Sequence, residues 1–197
     1  RFPSHPKAKS LLKILNYPLA APSANISSKV SPVTKNHVKE EFGKKIKYII
    51  EGGLSKIGLE STIINLTGKP EILRVGTIDI NKLSKALKRK LFYRKKTYMK
   101  VPGQNRLHYS PGIPLRMNCK EAGQDEAFIL MKKRKNSNKN FYYLSKNKNL
   151  KEAARNLYSV LRIIKKKGYK KIAVEKIEKE GIGLALNDRL HKASSKK

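Results

Sequence analysis

Leu150-Lys151-Glu152-Ala153-Ala154-Arg155-Asn156-Leu157-Tyr158-Ser159-Val160-Leu161-Arg162-Ile163-Ile164-Lys165-Lys166 repeats its apolar residues at helical spacing. Ala153, Leu157, Val160, Leu161 and Ile164 fall on one face, which predicts one amphipathic helix over the whole run. Before it, Ala127 to Met131 and Phe141 to Leu144 are apolar runs of strand length, separated by the polar, Lys/Asn-rich stretch Lys132 to Asn140. After it come a strand at Ile172 to Val174 and a closing helix over Leu184 to Ala193. Strands alternating with helices in so short a span predict a small Rossmann-like α/β domain over residues 121–197.

Upstream, Leu91 to Cys119 has no clear periodicity, and Pro102-Gly103, Pro111-Gly112 and Pro114 break any helix there. Residues 93–120 therefore read as an interdomain linker, unusually rich in His, Tyr and Arg for a spacer. Residues 1–92 read as a second α/β unit. Ser4-His5-Pro6 predicts a helix start, with Leu11, Leu12 and Leu15 carrying it to about Asn16. Pro18 to Ala21 and Lys47 to Ile50 are expected strands, and Thr34 is expected to cap a helix running to Phe42. Ser61 to Leu66 and Glu71 to Val75 flank Thr67-Gly68-Lys69-Pro70, a hairpin signal. Asp79 then caps a basic helix containing Ile80, Leu83 and Leu87.

Composition narrows the classes. The chain has 197 residues, 39% of them hydrophobic, enough for a real core. No apolar run approaches a membrane span, and no secretory layout opens the chain, so the expected location is the cytoplasm. The lone Cys119 excludes an internal disulfide and a multi-cysteine zinc site. Against 14 Asp and Glu stand 46 Lys and Arg, a net +32, which will attract RNA or any other polyanion. Lys outnumbers Arg, however, and base or phosphate recognition would favour Arg forks, so the charge favours compositional drift over dedicated nucleic-acid binding.

One polar constellation could carry chemistry. Pro22-Ser23-Ala24-Asn25 follows the expected strand at 18–21, at the kind of strand end where open α/β sheets bind ligands. Ser31 lies eight residues further on, so a folded-back loop would bring Ser23 and Ser31 around one phosphate group. Gly58-Leu59-Glu60-Ser61-Thr62 opens the next strand. Spacing alone favours the plainer reading, since Ser, Asn and Pro gather in turns for their own hydrogen-bonding reasons.

In this order and at these distances the motifs resemble the YrdC-like threonylcarbamoyl-AMP synthases, in the long form with an extra carboxy-terminal domain. The resemblance runs from Arg1 to about Ala193. It implies a partial YrdC-like twisted open sheet joined by the Pro-rich linker to the small Rossmann-like domain. It implies ATP contacts from Ser23, Asn25, Ser31 and Arg74, and threonine contacts from Arg1, the backbone at Ala21, and Ser61. Arg106-Leu107-His108-Tyr109-Ser110-Pro111 looks like the family's loop that reaches back over the nucleotide, which adds His108 and Tyr109 to the ATP set. Glu180-Gly181-Ile182-Gly183-Leu184-Ala185 and Asn187-Asp188-Arg189-Leu190 resemble the end of its second domain.

The implied reaction joins L-threonine and bicarbonate as a carbamate, which attacks the α-phosphorus of ATP and releases pyrophosphate. Such chemistry needs positioned donors and positive charge, with Mg²⁺ accompanying the ATP, and no covalent nucleophile. The adenylate would pass to a downstream threonylcarbamoyl transferase complex that modifies tRNA. The family's Lys-x-Arg phosphate motif has no counterpart here. A chain that starts inside the catalytic domain is therefore expected to lack adenylate synthesis alone and to leave apolar faces exposed. The competing class is a non-catalytic basic RNA-binding module of the same fold. A related carbamoyltransferase domain would carry zinc-finger cysteines, which the lone Cys119 argues against. His5, His37 and His191 lack metal-ligand spacing and are expected on the surface. Glu60 is a lone carboxylate, expected to be structural, and Tyr142, Tyr143 and Tyr158 are expected in the core.

Overall fold

The computed structural model describes residues 3–93, 101–103 and 108–194. Its best-buried part forms around the long helix. Four parallel strands, β4 (Leu115–Arg116), β5 (Glu126–Leu130), β6 (Phe141–Tyr143) and β7 (Lys171–Val174), lie in the order β4-β7-β5-β6. α4 (Leu150–Lys166) crosses from β6 to β7, and α5 (Ile182–Ser194) ends the described chain. β4 falls inside the stretch read as linker and pairs with β7, Leu115 against Ile172.

A sheet covered on both faces needs strands that are apolar throughout. In β5, Ala127 and Ile129, with the following Met131, join Leu157, Leu161 and Ile164 of α4 and Leu186 and Leu190 of α5 in the main core. Phe128 and Leu130 point the other way, to Cys119, Ala173 and the partly buried Phe141. Each fully buried Leu or Ile contributes about 1.5–3 kcal/mol. Asn149 caps α4, accepting from the N–H groups of Lys151 and Glu152, and Lys165 and Lys166 sit at the helix end that favours cations.

The rest is thinner. β1 (Ile63–Asn65) runs antiparallel to β2 (Glu71–Arg74), which runs parallel to β3 (Phe92–Tyr93). The same stretch carries three helices: α1 (Pro6–Ile14), α2 (Lys35–Phe42) and α3 (Ile80–Leu87). Thr34 caps α2 and Asp79 caps α3, as their sequences predict. None of these three helices has a fully buried residue. The strands expected at 18–21 and 47–50 do not form: both stretches are irregular, with Leu19, Tyr48 and Ile50 exposed. An apolar run becomes a strand only against a neighbour, and Pro18 also lacks a backbone donor.

Polar pins fasten this part to α4. Arg162 pairs with Glu41 of α2 and donates from Nη2 to the Val30 carbonyl at 2.6 Å. Gly58, at φ +80°, brings its backbone so close that a Cβ would lie 2.5 Å from the Arg155 Cα. Only glycine suits both the conformation and the approach.

Candidate active site

The turn at Gly58 sets the site, because it delivers Glu60 to the junction. Glu60 is held by three donors: Ser31 Oγ at 2.7 Å, Tyr158 Oη at 2.8 Å and Arg189 Nε at 3.0 Å. Burial raises the Glu60 carboxyl pKa. The Arg189 charge and the hydrogen bonds from Ser31 and Arg189 outweigh that, leaving it below the ordinary value. Burial likewise opposes the charge of Arg189. Tyr158, Tyr109, Glu60 and Asp188 around it more than compensate, so its pKa lies above the usual arginine value.

A cleft of about 380 Å³ opens beside this carboxylate, lined among others by Ser23, Ala24, Ser31, Lys56 and Glu60. Ser23 and Ser31 thus line the same cleft. Asn25 sits at the turn itself. Its amide donates to the carbonyls of Ile26 and Lys29, while its Oδ1 is buried without a partner.

Arg74 and Ser61 meet on the hairpin. Arg74 Nε donates to the Ser61 carbonyl at 3.0 Å, Nη2 to Ser61 Oγ at 3.4 Å, and Nη1 to the Pro102 carbonyl at 2.9 Å. The guanidinium thus joins the hairpin to the backbone at Pro102 as a planar fork. Gly76 accommodates the backbone of Thr62 and accepts no side chain there.

Residues 108–110 lie over the same ground. The His108 N–H donates to the Lys192 carbonyl at 3.3 Å, and the Ser110 N–H to the Ser28 carbonyl at 2.9 Å. Between them Tyr109 adopts φ +58°, a left-handed backbone uncommon for a bulky residue. Its ring is buried, stacked on Tyr158 with centroids 5.7 Å apart, and the Arg189 guanidinium lies 5.0 Å from it. Burial pushes the Tyr109 phenol up to about 12, and its hydroxyl is buried without a hydrogen-bond partner. His108 Nδ1 accepts from the Tyr109 N–H, which requires a neutral ring protonated at Nε2. Burial first, then Lys192, Arg189 and Arg74, lower its pKa against the pull of Glu60, consistent with that state.

The sequence-derived set is thus partly assembled. Ser23 and Ser31 share the cleft, Ser61 and Arg74 are bonded to each other, and His108 and Tyr109 lie at the junction. Ala21 is exposed and does not line the cleft. Arg1 and Arg106 lie outside the described residues. His5 and His37, expected on the surface, are half-buried: His5 bonds the Gly52 carbonyl and lines the cleft, and His37 Nδ1 accepts from the Val33 N–H. Sequence reasoning missed Arg189 and the polar role of Tyr158. Periodicity identifies Tyr158 only as core, and Arg189 carried no signal beyond its place in Asn187-Asp188-Arg189-Leu190.

Known proteins carry the same architecture. The family model described as threonylcarbamoyl-AMP synthase, C-terminal domain, matches residues 71–195, and one described as telomere recombination matches residues 1–76. The chain belongs to the threonylcarbamoyl-AMP synthase family. It is 34% identical to the threonylcarbamoyl-AMP synthase of Pyrococcus abyssi over 215 residues, 98% of this chain and 63% of that protein. The Schizosaccharomyces pombe enzyme of the same name is 33% identical, over 99% of this chain and 56% of its own length. The crystal structure of P. abyssi Sua5 complexed with L-threonine superposes with a TM-score of 0.84 at 32% identity, covering 98% of this chain and 63% of that one. The chain therefore spans 56–63% of the length of these relatives.

Proposed function

We propose that the protein carrying this chain is an L-threonylcarbamoyladenylate synthase, using ATP, L-threonine and bicarbonate. The observation that carries the proposal is the junction itself. Ser23 and Ser31 share a cleft with Glu60, and the residue after Glu60, Ser61, is bonded to Arg74. That the P. abyssi relative was crystallised with L-threonine supports an amino-acid substrate.

In this reading the threonine amine and bicarbonate condense to the carbamate with loss of water. A carbamate oxygen then attacks the α-phosphorus, and the bond to the bridging oxygen breaks as pyrophosphate leaves. Ser23, Asn25 and Ser31 form the ATP side of the site. The Ser31 hydroxyl donates to Glu60 and the Asn25 amide to the Ile26 and Lys29 carbonyls, so donation to ATP falls to Ser23, while Ser31 and Asn25 hold the loop and offer acceptor oxygens. Arg74 supplies fixed charge where the phosphate oxygens gain it. Ser61, with Arg1 and the Ala21 backbone, holds threonine. His108 and Tyr109 exclude water from the labile carbamate.

The described residues do not fit a protein-held metal. They contain no cluster of three or more His, Cys, Asp or Glu side chains, and both Glu60 oxygens are already engaged. Mg²⁺ in this proposal comes with the ATP phosphates, and no step depends on a side-chain ligand for it. The finer architecture belongs to the same proposal: a YrdC-like portion over 1–92, a Pro-rich linker over 93–120 and a small Rossmann-like domain over 121–197. Three parallel strands within 121–197, β5, β6 and β7, with α4 as a crossover support the last of these, and β4, inside 93–120, adds a fourth strand to the same sheet. No described helix is long and apolar enough to cross a membrane. A cytoplasmic location, contact with tRNA through the +32 surface, and transfer to a downstream threonylcarbamoyl transferase complex complete the proposal.

The test is pyrophosphate release from ATP by the full-length protein, with threonine and bicarbonate omitted in turn. Turnover that needs both and falls sharply in Ser23→Ala and Arg74→Lys supports the synthase. Absence of turnover with tight, threonine-independent RNA binding at physiological salt would point to the binding module instead.

A further inference from the structure

Arg189 is the most deeply buried charged side chain described, with no exposed surface. Its three nitrogens each have a different partner. Nε donates to Glu60, ahead of Ser61; Nη2 donates to the Val75 carbonyl at 2.9 Å, next to Arg74; Nη1 pairs with Asp188 at 2.5 Å. One guanidinium on α5 therefore reaches both arms of the hairpin just outside its strands, at the positions adjoining Ser61 and Arg74. Its face also covers Tyr109, whose neighbour His108 is tied to Lys192 of α5, and Lys192 pairs with Asp188 in turn.

A charge buried so completely persists only if its partners are fixed, and removing one leaves the other uncompensated. Replacing the whole group by apolar residues would serve stability as well, so packing alone does not call for the cluster. Its partners are also selective: Ser31, the entry to Ser61, the exit from Arg74, and the ring of Tyr109. Those are the elements to which the proposed function gives ATP and threonine. We infer that Arg189 and Glu60, helped by Tyr158, are positioning residues by which the carboxy-terminal α/β unit sets the geometry of the substrate site. The inference rests on the synthase reading for what is positioned, and on the geometry alone for which elements are held.

Two measurements on the full-length protein separate these dependences. The variants are Glu60→Gln, close to isosteric, Arg189→Met, and Tyr158→Phe, which removes a single donor. Amide hydrogen exchange is the arm that needs no activity. Glu60→Gln and Arg189→Met are expected to speed exchange at least tenfold over 59–65, 72–76 and 108–110 while leaving β5, β7 and α4 at wild-type rates. Acceleration confined to α5, or spread evenly through the chain, would overturn the inference. Kinetics is the second arm. In variants still folded at the assay temperature, the KM for threonine should rise about tenfold or more with Glu60→Gln. With Tyr158→Phe it should rise no more than about threefold. An unchanged threonine KM in a variant whose melting point has dropped would make the cluster mere structural glue. A wild-type protein without threonine-dependent turnover would sink the synthase reading, and the exchange arm would still decide the positioning role.

Discussion

Residues 3–93 and 108–194 are nearly equal in length and differ sharply in how they hold together. Among the described residues, 24 of the 29 buried apolar side chains lie in 108–194, and only Val30, Val33, Leu59, Ile72 and Leu91 in 3–93. Exposure runs the other way: of thirteen exposed large hydrophobics, only Ile163 is outside 3–93. The carboxy-terminal unit is ordered by its own core. The amino-terminal region is ordered by caps, by a glycine turned against α4, by Val30, Val33 and Leu59 joined to the main core, and by long-range polar anchors that include Val30, Glu41, Glu60 and Val75. The candidate site lies where the second kind of order meets the first, which puts its loops on softer structure braced by a rigid neighbour.

The largest effect should separate the two regions most clearly. Leu157→Ala removes a fully buried side chain from α4 and is expected to cost about 2–5 kcal/mol in denaturant unfolding. Leu54→Ala, at 48% exposure, should change stability by no more than about 0.5 kcal/mol. Equal losses would erase the contrast.

Gly58→Ala comes next. The left-handed backbone alone costs about 1–3 kcal/mol, and the collision with Arg155 should push the turn off α4. Limited proteolysis should then cut within 3–93 while 108–194 survives. Arg162→Met should loosen the same region by about 1–3 kcal/mol through the unpaired Glu41 and the Val30 carbonyl, read as a lower unfolding midpoint.

Acid should sharpen the comparison further. The folded-state pKa of Glu60 lies below its unfolded value of about 4.5, so its contribution is complete above that value. It is lost as pH falls from there through the folded pKa. Thermal melts of wild type and Glu60→Gln should therefore differ by a constant amount at neutral pH and converge below about pH 4.5. A difference that grows on acidification would contradict the ion pair. The smallest effect belongs to Lys148→Ala. Its exposed pair with Glu178 is expected to leave the melting point unchanged within error.

The legible parts of the fold were those with local causes. α4 runs from Leu150 to Lys166 as its periodicity predicts, and Thr34 and Asp79 cap the helices they precede. The hairpin around Thr67-Gly68-Lys69-Pro70 also forms where its turn residues put it. Ser23 and Ser31 line one cleft, as eight residues of loop allow, although spacing alone favours an ordinary turn. The strands at 18–21 and 47–50 failed because a strand is half of an interaction, and its partner is not written in the segment itself.

The sequence by itself determined the helices, the caps and the alternation of the carboxy-terminal unit, since a helix satisfies its backbone within four residues and a cap within three. Only the tertiary structure decided that Glu60 would be shared by Ser31, Tyr158 and an arginine 129 residues away. A buried charge takes its meaning from whatever partners surround it, and those partners are chosen by how the whole chain packs.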